Sequence, residues 1–81
     1  MSESIEVRVR QVAADVFDMP LEQVTARSSP QTIETWESVQ HLNLILALEQ
    51  ELQVRIDPEE IAQIETIGDA IRLVKDKAGA I

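Results

Sequence analysis

Two side chains near the middle of this 81-residue chain have the types and spacing for chemistry: Ser38, a nucleophile by type, and His41, the one histidine, three residues later. A serine attacks only when an adjacent base takes its proton and a third group orients that base. No acid is obviously placed to orient the His41 imidazole. Glycine occurs only at 68 and 79, so there is no glycine-rich stretch for an oxyanion hole or a phosphate cradle. One histidine, no cysteine and scattered carboxylates do not form a compact metal-ligand set. Catalysis by this chain in its own right is therefore not expected, and His41 reads as a partly exposed surface residue. Two roles remain for Ser38. As the N-cap of the following helix its oxygen would accept from a first-turn N–H, worth about 1 kcal/mol. As an attachment point it would carry an added group. The two are compatible, because a helix start is exposed and its dipole favours a phosphate.

The elements that position Ser38 follow from periodicity. Ile5, Val9, Val12 and Val16 recur at helical spacing and predict a first amphipathic helix, capped by Ser2 or Ser4 and stopped before Pro20. From 19 to 35 the period is lost. Two prolines, several Ser and Thr residues, and isolated Leu21, Val24 and Ile33 predict a long loop anchored at a few points, of the kind that is often functional. It leads directly to Ser38. A second helix is expected over about 39–52. At about 100° per residue, Leu44, Ile45, Leu48 and Leu52 share one sector, while Val39, Leu42 and Leu46 form an adjoining edge. That arc is too wide for one seam. Either the helix is buried on two sides or the edge is an exposed docking strip. "DPEE" at 57–60 starts a short helix with Asp57 as cap, Pro58 in the first position and Glu60 closing a capping box. "TIGD" at 66–69 opens the last helix, whose seam is Ile67, Ala70, Ile71, Val74 and Ala78 and whose end is Gly79. No segment alternates with period two. The expected fold is all-α: a small antiparallel bundle of three main helices and one short one, forming a single domain over 1–81.

Composition narrows the function. Phe17 and Trp36 are the only aromatics, so the core must be aliphatic, and the absence of cysteine leaves the polypeptide without a thiol. Trp36 reads as a loop anchor packed on the bundle. The first ten residues lack the apolar run of a signal peptide, and no stretch approaches a membrane span, so a cytoplasmic location without membrane association is expected. A formal charge of −8 argues against nucleic-acid binding. Residues 28–71 hold nine acids and one base, Arg55, whereas six acids balance six bases elsewhere. The net charge therefore surrounds Ser38, a field that steers basic partners.

The acid–Ser–aliphatic triplet Glu37-Ser38-Val39, the long loop before it and the run "LNLILALEQELQVRIDPEEIAQIETIGDAIRLV" after it together resemble an acyl carrier protein over nearly the whole chain. The resemblance implies a 4′-phosphopantetheine arm on Ser38, installed from coenzyme A with Mg²⁺ by a phosphopantetheinyl transferase. The arm's thiol would carry acyl groups as thioesters between enzymes of fatty-acid, polyketide or other specialised biosynthesis, which fits a chain that has no cysteine. It also implies that Glu37, Val39, Leu42, Leu46 and Glu49 form the docking face for the transferase and for acyl-loading and acyl-processing enzymes with basic patches. The carrier itself would be a monomer. Three departures stand out. Glu37 replaces the family's usual Asp, Val39 its usual Leu, and Gln40, His41 and Asn43 occupy a stretch that is usually acidic. They suggest a dedicated pathway. An aminoacyl or peptidyl carrier is the neighbouring alternative, although the Gly-Gly-His run before the serine is absent. An alternative of another class is an unmodified acidic interaction module in which Ser38 is only a helix N-cap.

Overall fold

Three helices of this chain begin where side chains satisfy the free amides of a first turn. The computed structural model describes residues 4–79, with side chains through 77, and contains α1 (Ile5–Phe17), α2 (Ser38–Leu52), α3 (Pro58–Gln63) and α4 (Ile67–Gly79). Ser4 Oγ accepts from the Val7 N–H at 3.2 Å and starts α1; Ser2 lies outside the described residues. At α3, Glu60 accepts from the Asp57 N–H at 2.9 Å, and Pro58 occupies the first helical position. At α4, Thr66 Oγ1 accepts from the Asp69 N–H at 3.1 Å. Asp69 Oδ2 accepts in return from the Thr66 N–H at 3.2 Å and the Glu65 N–H at 3.0 Å. All three starts are as the sequence predicts, and among the described residues there is no strand.

The helices pack on an aliphatic core. Val9, Ala13 and Phe17 of α1 meet Leu44 and Leu48 of α2 and Ile67, Ala70 and Val74 of α4, all essentially inaccessible to water. The ends of the predicted α1 seam, Ile5 and Val16, are only half-buried. Arg8 crosses from α1 to the end of α2 and donates to the Glu51 carbonyl at 2.7 Å.

Asp18, in the left-handed region at φ 54°, ends α1 and sends the chain into the loop that precedes Ser38. The loop has one turn of 3-10 helix, Leu21–Gln23, which the sequence did not announce. Val24, Ile33 and Trp36 are buried and Leu21 is half-buried, so the loop is anchored by side chains rather than by a ladder. Polar ties complete it. Arg10 donates to the Val24 carbonyl at 2.7 Å and the Leu21 carbonyl at 3.3 Å. The first amides of α4 then reach back, Ile67 N–H to the Ser28 carbonyl at 2.9 Å and Gly68 N–H to the Ala26 carbonyl at 2.8 Å. The approach at Gly68 leaves no space for a side chain, since a Cβ there would lie 2.9 Å from the Ala26 carbonyl oxygen. Gly68→Ala should therefore destabilise the protein by about 1–3 kcal/mol in urea melts, despite alanine's better helix propensity. An unchanged or raised midpoint would contradict this packing.

Lys77 of α4 and Glu60 of α3 form an ion pair at 2.7 Å. The Lys77 hydrogen bond, and then the Asp57 backbone amide, hold the Glu60 carboxyl below the ordinary carboxylate range. Because the folded value is the lower one, this contribution to stability is present above the unfolded carboxylate pKa. It is lost as pH falls through the folded one. Glu60→Gln should therefore flatten the acid limb of the stability profile below about pH 5. An unaltered profile would show that the pair contributes nothing.

Candidate functional site

The start of α2 is built by what happens on either side of it. Two tight turns, Trp36 N–H to the Ile33 carbonyl and Glu37 N–H to the Thr35 carbonyl, both at 3.0 Å, bring the loop to Glu37. Glu37 is the N-cap, with extended backbone at φ −113° and ψ −177°, and its carbonyl accepts the His41 N–H at 2.8 Å. Ser38 is thus the first residue of the helix and not its cap, which corrects the expectation of a capping serine. The reason is tertiary: burial of Ile33 and Trp36 fixes where the chain turns, one residue before the residue type that local preference selects. Neither Glu37 nor Ser38 caps the helix with its side chain. The Ser38 hydroxyl is exposed and has no hydrogen-bond partner among the described residues. It stands at the positive, uncapped end of a helix, a setting that accommodates an added phosphate.

Behind Ser38 lies a compact aromatic assembly. Trp36, only 4% accessible, stacks with Phe17 at 5.1 Å between ring centroids and lies nearly coplanar with His41, edge to edge, with 6.0 Å between centroids. Its indole N–H donates to His41 Nδ1 at 3.0 Å, and His41 Nε2 lies 3.0 Å from the Ile61 carbonyl of α3. An indole nitrogen can only donate, so Nδ1 is the acceptor and the ring proton resides on Nε2, donating to Ile61. Both ring nitrogens are therefore engaged, and His41 is no base for Ser38. It is half-buried, in keeping with the partial exposure expected from the sequence, and its two hydrogen bonds make it a brace between loop, α2 and α3. Trp36 is the loop anchor it was expected to be.

Gln40 and Asn43 also have structural work. Gln40 Nε2 donates to the Val16 carbonyl at 2.9 Å and its Oε1 accepts from Asn43 at 2.6 Å, while Thr35 Oγ1 donates to the Phe17 carbonyl at 3.3 Å. The last carbonyls of α1 are thus satisfied by side chains on both sides of Ser38. A carboxylate at position 40 could not donate, which is a physical reason for a neutral amide there.

The remaining site candidates share one side of α2. Val39, Leu42 and Leu46 are 63%, 54% and 55% accessible, so the second apolar edge of the helix is exposed rather than packed. Glu37 is exposed at the head of this strip. Glu49, one turn beyond Leu46, is half-buried and commits one oxygen to the Ile56 N–H at 2.9 Å. Among the described residues no cluster of His, Cys, Asp and Glu could hold a metal ion, and no helix is long and apolar enough to cross a membrane.

A family model described as "Phosphopantetheine attachment site" matches residues 7–74. The acyl carrier protein of Phenylobacterium zucineum is 30% identical over 80 residues, covering 99% of this chain and 100% of that protein. That of Saccharopolyspora erythraea is 30% identical over 69 residues, covering 85% of this chain and 73% of its own. The chain belongs to the acyl carrier protein family. A solution structure of the holo acyl carrier protein from Geobacter metallireducens superimposes with a TM-score of 0.81 at 27% identity, over 90% of this chain and 84% of that one. The protein is thus a non-catalytic carrier that holds acyl groups as thioesters on a serine-linked phosphopantetheine. Its partner classes as a member of the family are a phosphopantetheinyl transferase and acyl-processing enzymes. An exposed hydroxyl at an uncapped helix start fits such a group.

The hydrogen bonds predict a contrast between two substitutions in one turn of this carrier. Ser38→Ala should change unfolding free energy by no more than about 0.5 kcal/mol, because the hydroxyl is unbonded. His41→Ala should cost about 1–3 kcal/mol, since it strands the buried Trp36 N–H. Denaturant melts followed by Trp36 fluorescence measure both. A loss near 1 kcal/mol for Ser38→Ala would restore the capping serine.

Proposed function

We propose that Ser38 is the serine that carries the arm, and that Glu37, Val39, Leu42, Leu46 and Glu49 form the surface on which partner enzymes dock. The observation that carries this is the exposed, unbonded hydroxyl of Ser38 beside an exposed apolar strip on the same helix. The chain would act as one domain over 1–81, as a monomer, in the cytoplasm.

The chemistry asked of this chain is modest. On the transferase, with Mg²⁺ bound, the Ser38 oxygen attacks the phosphorus of coenzyme A that bears pantetheine. An O–P bond forms, the pyrophosphate linkage breaks, adenosine 3′,5′-bisphosphate leaves and the serine proton passes to a base on the transferase. With both nitrogens of His41 committed to structure, that base comes from the transferase. Once attached, the arm supplies the thiol that this cysteine-free chain lacks.

Recognition then falls to α2. Val39, Leu42 and Leu46 offer apolar area at the centre of the contact, and Glu37 and Glu49 lie at its ends. With Gln40, His41 and Asn43 uncharged or engaged, attraction for basic patches comes from these two and from the acids of 51–69. Apolar anchors at the centre of an interface supply most of its affinity, while rim charges mainly raise the association rate.

Incubation with coenzyme A, Mg²⁺ and a broad-specificity transferase should add one phosphopantetheine by intact mass, and Ser38→Ala should add none. A gain in the mutant would move the attachment elsewhere. Leu46→Asp should lower the transferase kcat/KM about tenfold without unfolding the protein, as its side chain faces solvent. An unchanged value would remove Leu46 from the transferase contact. Wild-type rates should also fall with added salt.

A further inference from the structure

His41 is the only side chain in the sequence whose type changes charge between about pH 5 and 8, and its hydrogen bonds admit one protonation state. The Trp36 indole N–H can only donate, so Nδ1 of His41 must be bare to receive it, while Nε2 carries the proton given to the Ile61 carbonyl. A second proton would go on Nδ1. Two N–H groups would then face each other across 3.0 Å, one of them on an indole only 4% accessible. Turning the ring over gives no relief, since both nitrogens of the cation are donors. Trp36 or the imidazole must leave its position, and either movement breaks the tie between loop, α2 and α3.

We propose that His41 is a positioning residue for transfer of the arm onto Ser38, that only its neutral form serves, and that the carrier becomes a poorer transferase substrate as pH falls. This rests on Ser38 being the point of attachment. Trp36 and His41 flank the serine, two residues before it and three after, so the tie holds the chain on both sides of the hydroxyl. Proton counting sets the sign. The tied form binds no proton at Nδ1 and the released form binds one, so acid favours release. A transferase that grips the tied form then meets a smaller fraction of it, which raises KM and leaves kcat unchanged.

The charged groups around the ring do not replace the lost bond. The loop carries Glu34 and Glu37, both exposed, and Glu37 shares a surface cleft with His41. On α3, Glu59 is exposed and Glu60 is committed to Lys77, and Asp18 at the end of α1 is exposed. Further along α2, Glu49 is bonded to the Ile56 N–H. Among the described residues none of these forms an ion pair with His41, and none accepts from the Trp36 indole.

The test is a competition. Wild-type and His41→Gln apo-proteins, told apart by intact mass, share one mixture with coenzyme A, Mg²⁺ and a broad-specificity transferase. The transferase's own pH profile cancels, and the ratio of holo products gives the ratio of kcat/KM. Glutamine also accepts through Oε1 and donates through Nε2, but it does not titrate. The ratio of wild type to His41→Gln should be near unity at about pH 8 and fall several-fold by about pH 5.5. Assayed separately at saturating carrier, the two should reach the same kcat at each pH. Trp36→Phe keeps a ring against Phe17 but has no N–H, so its ratio to His41→Gln should not change with pH. A flat wild-type ratio, at whatever level, would overturn the proposal and leave His41 a structural brace. An equal fall in Trp36→Phe would overturn it too. No mass gain at any pH, or an arm on a serine other than Ser38, would overturn the attachment itself and the positioning with it.

Discussion

The indole N–H of Trp36 has one acceptor, Nδ1 of His41, and the order of the attachment region depends on that bond. A loop of twenty residues between α1 and α2 has no ladder to hold it. Its last stretch must still deliver Ser38 to the same place each time. Burying Trp36 against Phe17 supplies the apolar driving force, but an indole buried with its N–H unpaired would lose much of that gain. His41 removes the penalty, and through Ile61 passes the constraint on to α3. Loop, α2 and α3 are thereby positioned by two neutral hydrogen bonds and two ring contacts.

This arrangement explains why the serine itself is left so little encumbered. The polar side chains around it are turned inward: Thr35 to the Phe17 carbonyl, Gln40 to the Val16 carbonyl, and His41 between Trp36 and Ile61. No side chain caps α2 at Glu37, and Ser38 at the head of the helix is exposed. A carrier needs its serine presented, not activated, because activation belongs to the modifying enzyme. The same inward use of Gln40 and His41 accounts for the missing acids in the first half of α2. The electrostatic attraction for partners is carried instead by Glu37 and by acids further along the chain.

How much of this was legible in the sequence depended on the range of the interaction. The caps at Ser4, Asp57–Glu60 and Thr66–Asp69 involve residues three or four apart, so their residue types alone revealed them. The exposed edge of α2 could be read as a helical stripe, but whether another element covered it could not, because that depends on the packing of α1 and α4. Ser38 was placed one residue wrongly in its helix because cap preference is local, whereas the turn at Glu37 is fixed by buried Ile33 and Trp36. The bracing role of His41 is not legible in the sequence for a related reason. Its partners lie five residues before it and twenty after it, and no pattern of spacing links an imidazole to an indole and a distant carbonyl. The family resemblance depends on neither point, since the triplet, the loop and the downstream pattern carry it together.

The central claim is that one serine of five, Ser38, bears the arm. Localising the arm in wild-type holo-protein tests it most directly. Cleavage after glutamate at 34, 37 and 49 yields a 38–49 peptide, or 35–49 where the cut at 37 is missed, and in either Ser38 is the only serine, whereas tryptic cleavage would leave it joined to Ser28 and Ser29. Fragmentation should find the phosphopantetheine on that peptide and nowhere else. Its appearance on a peptide containing Ser28 or Ser29, with 38–49 unmodified, would contradict the account.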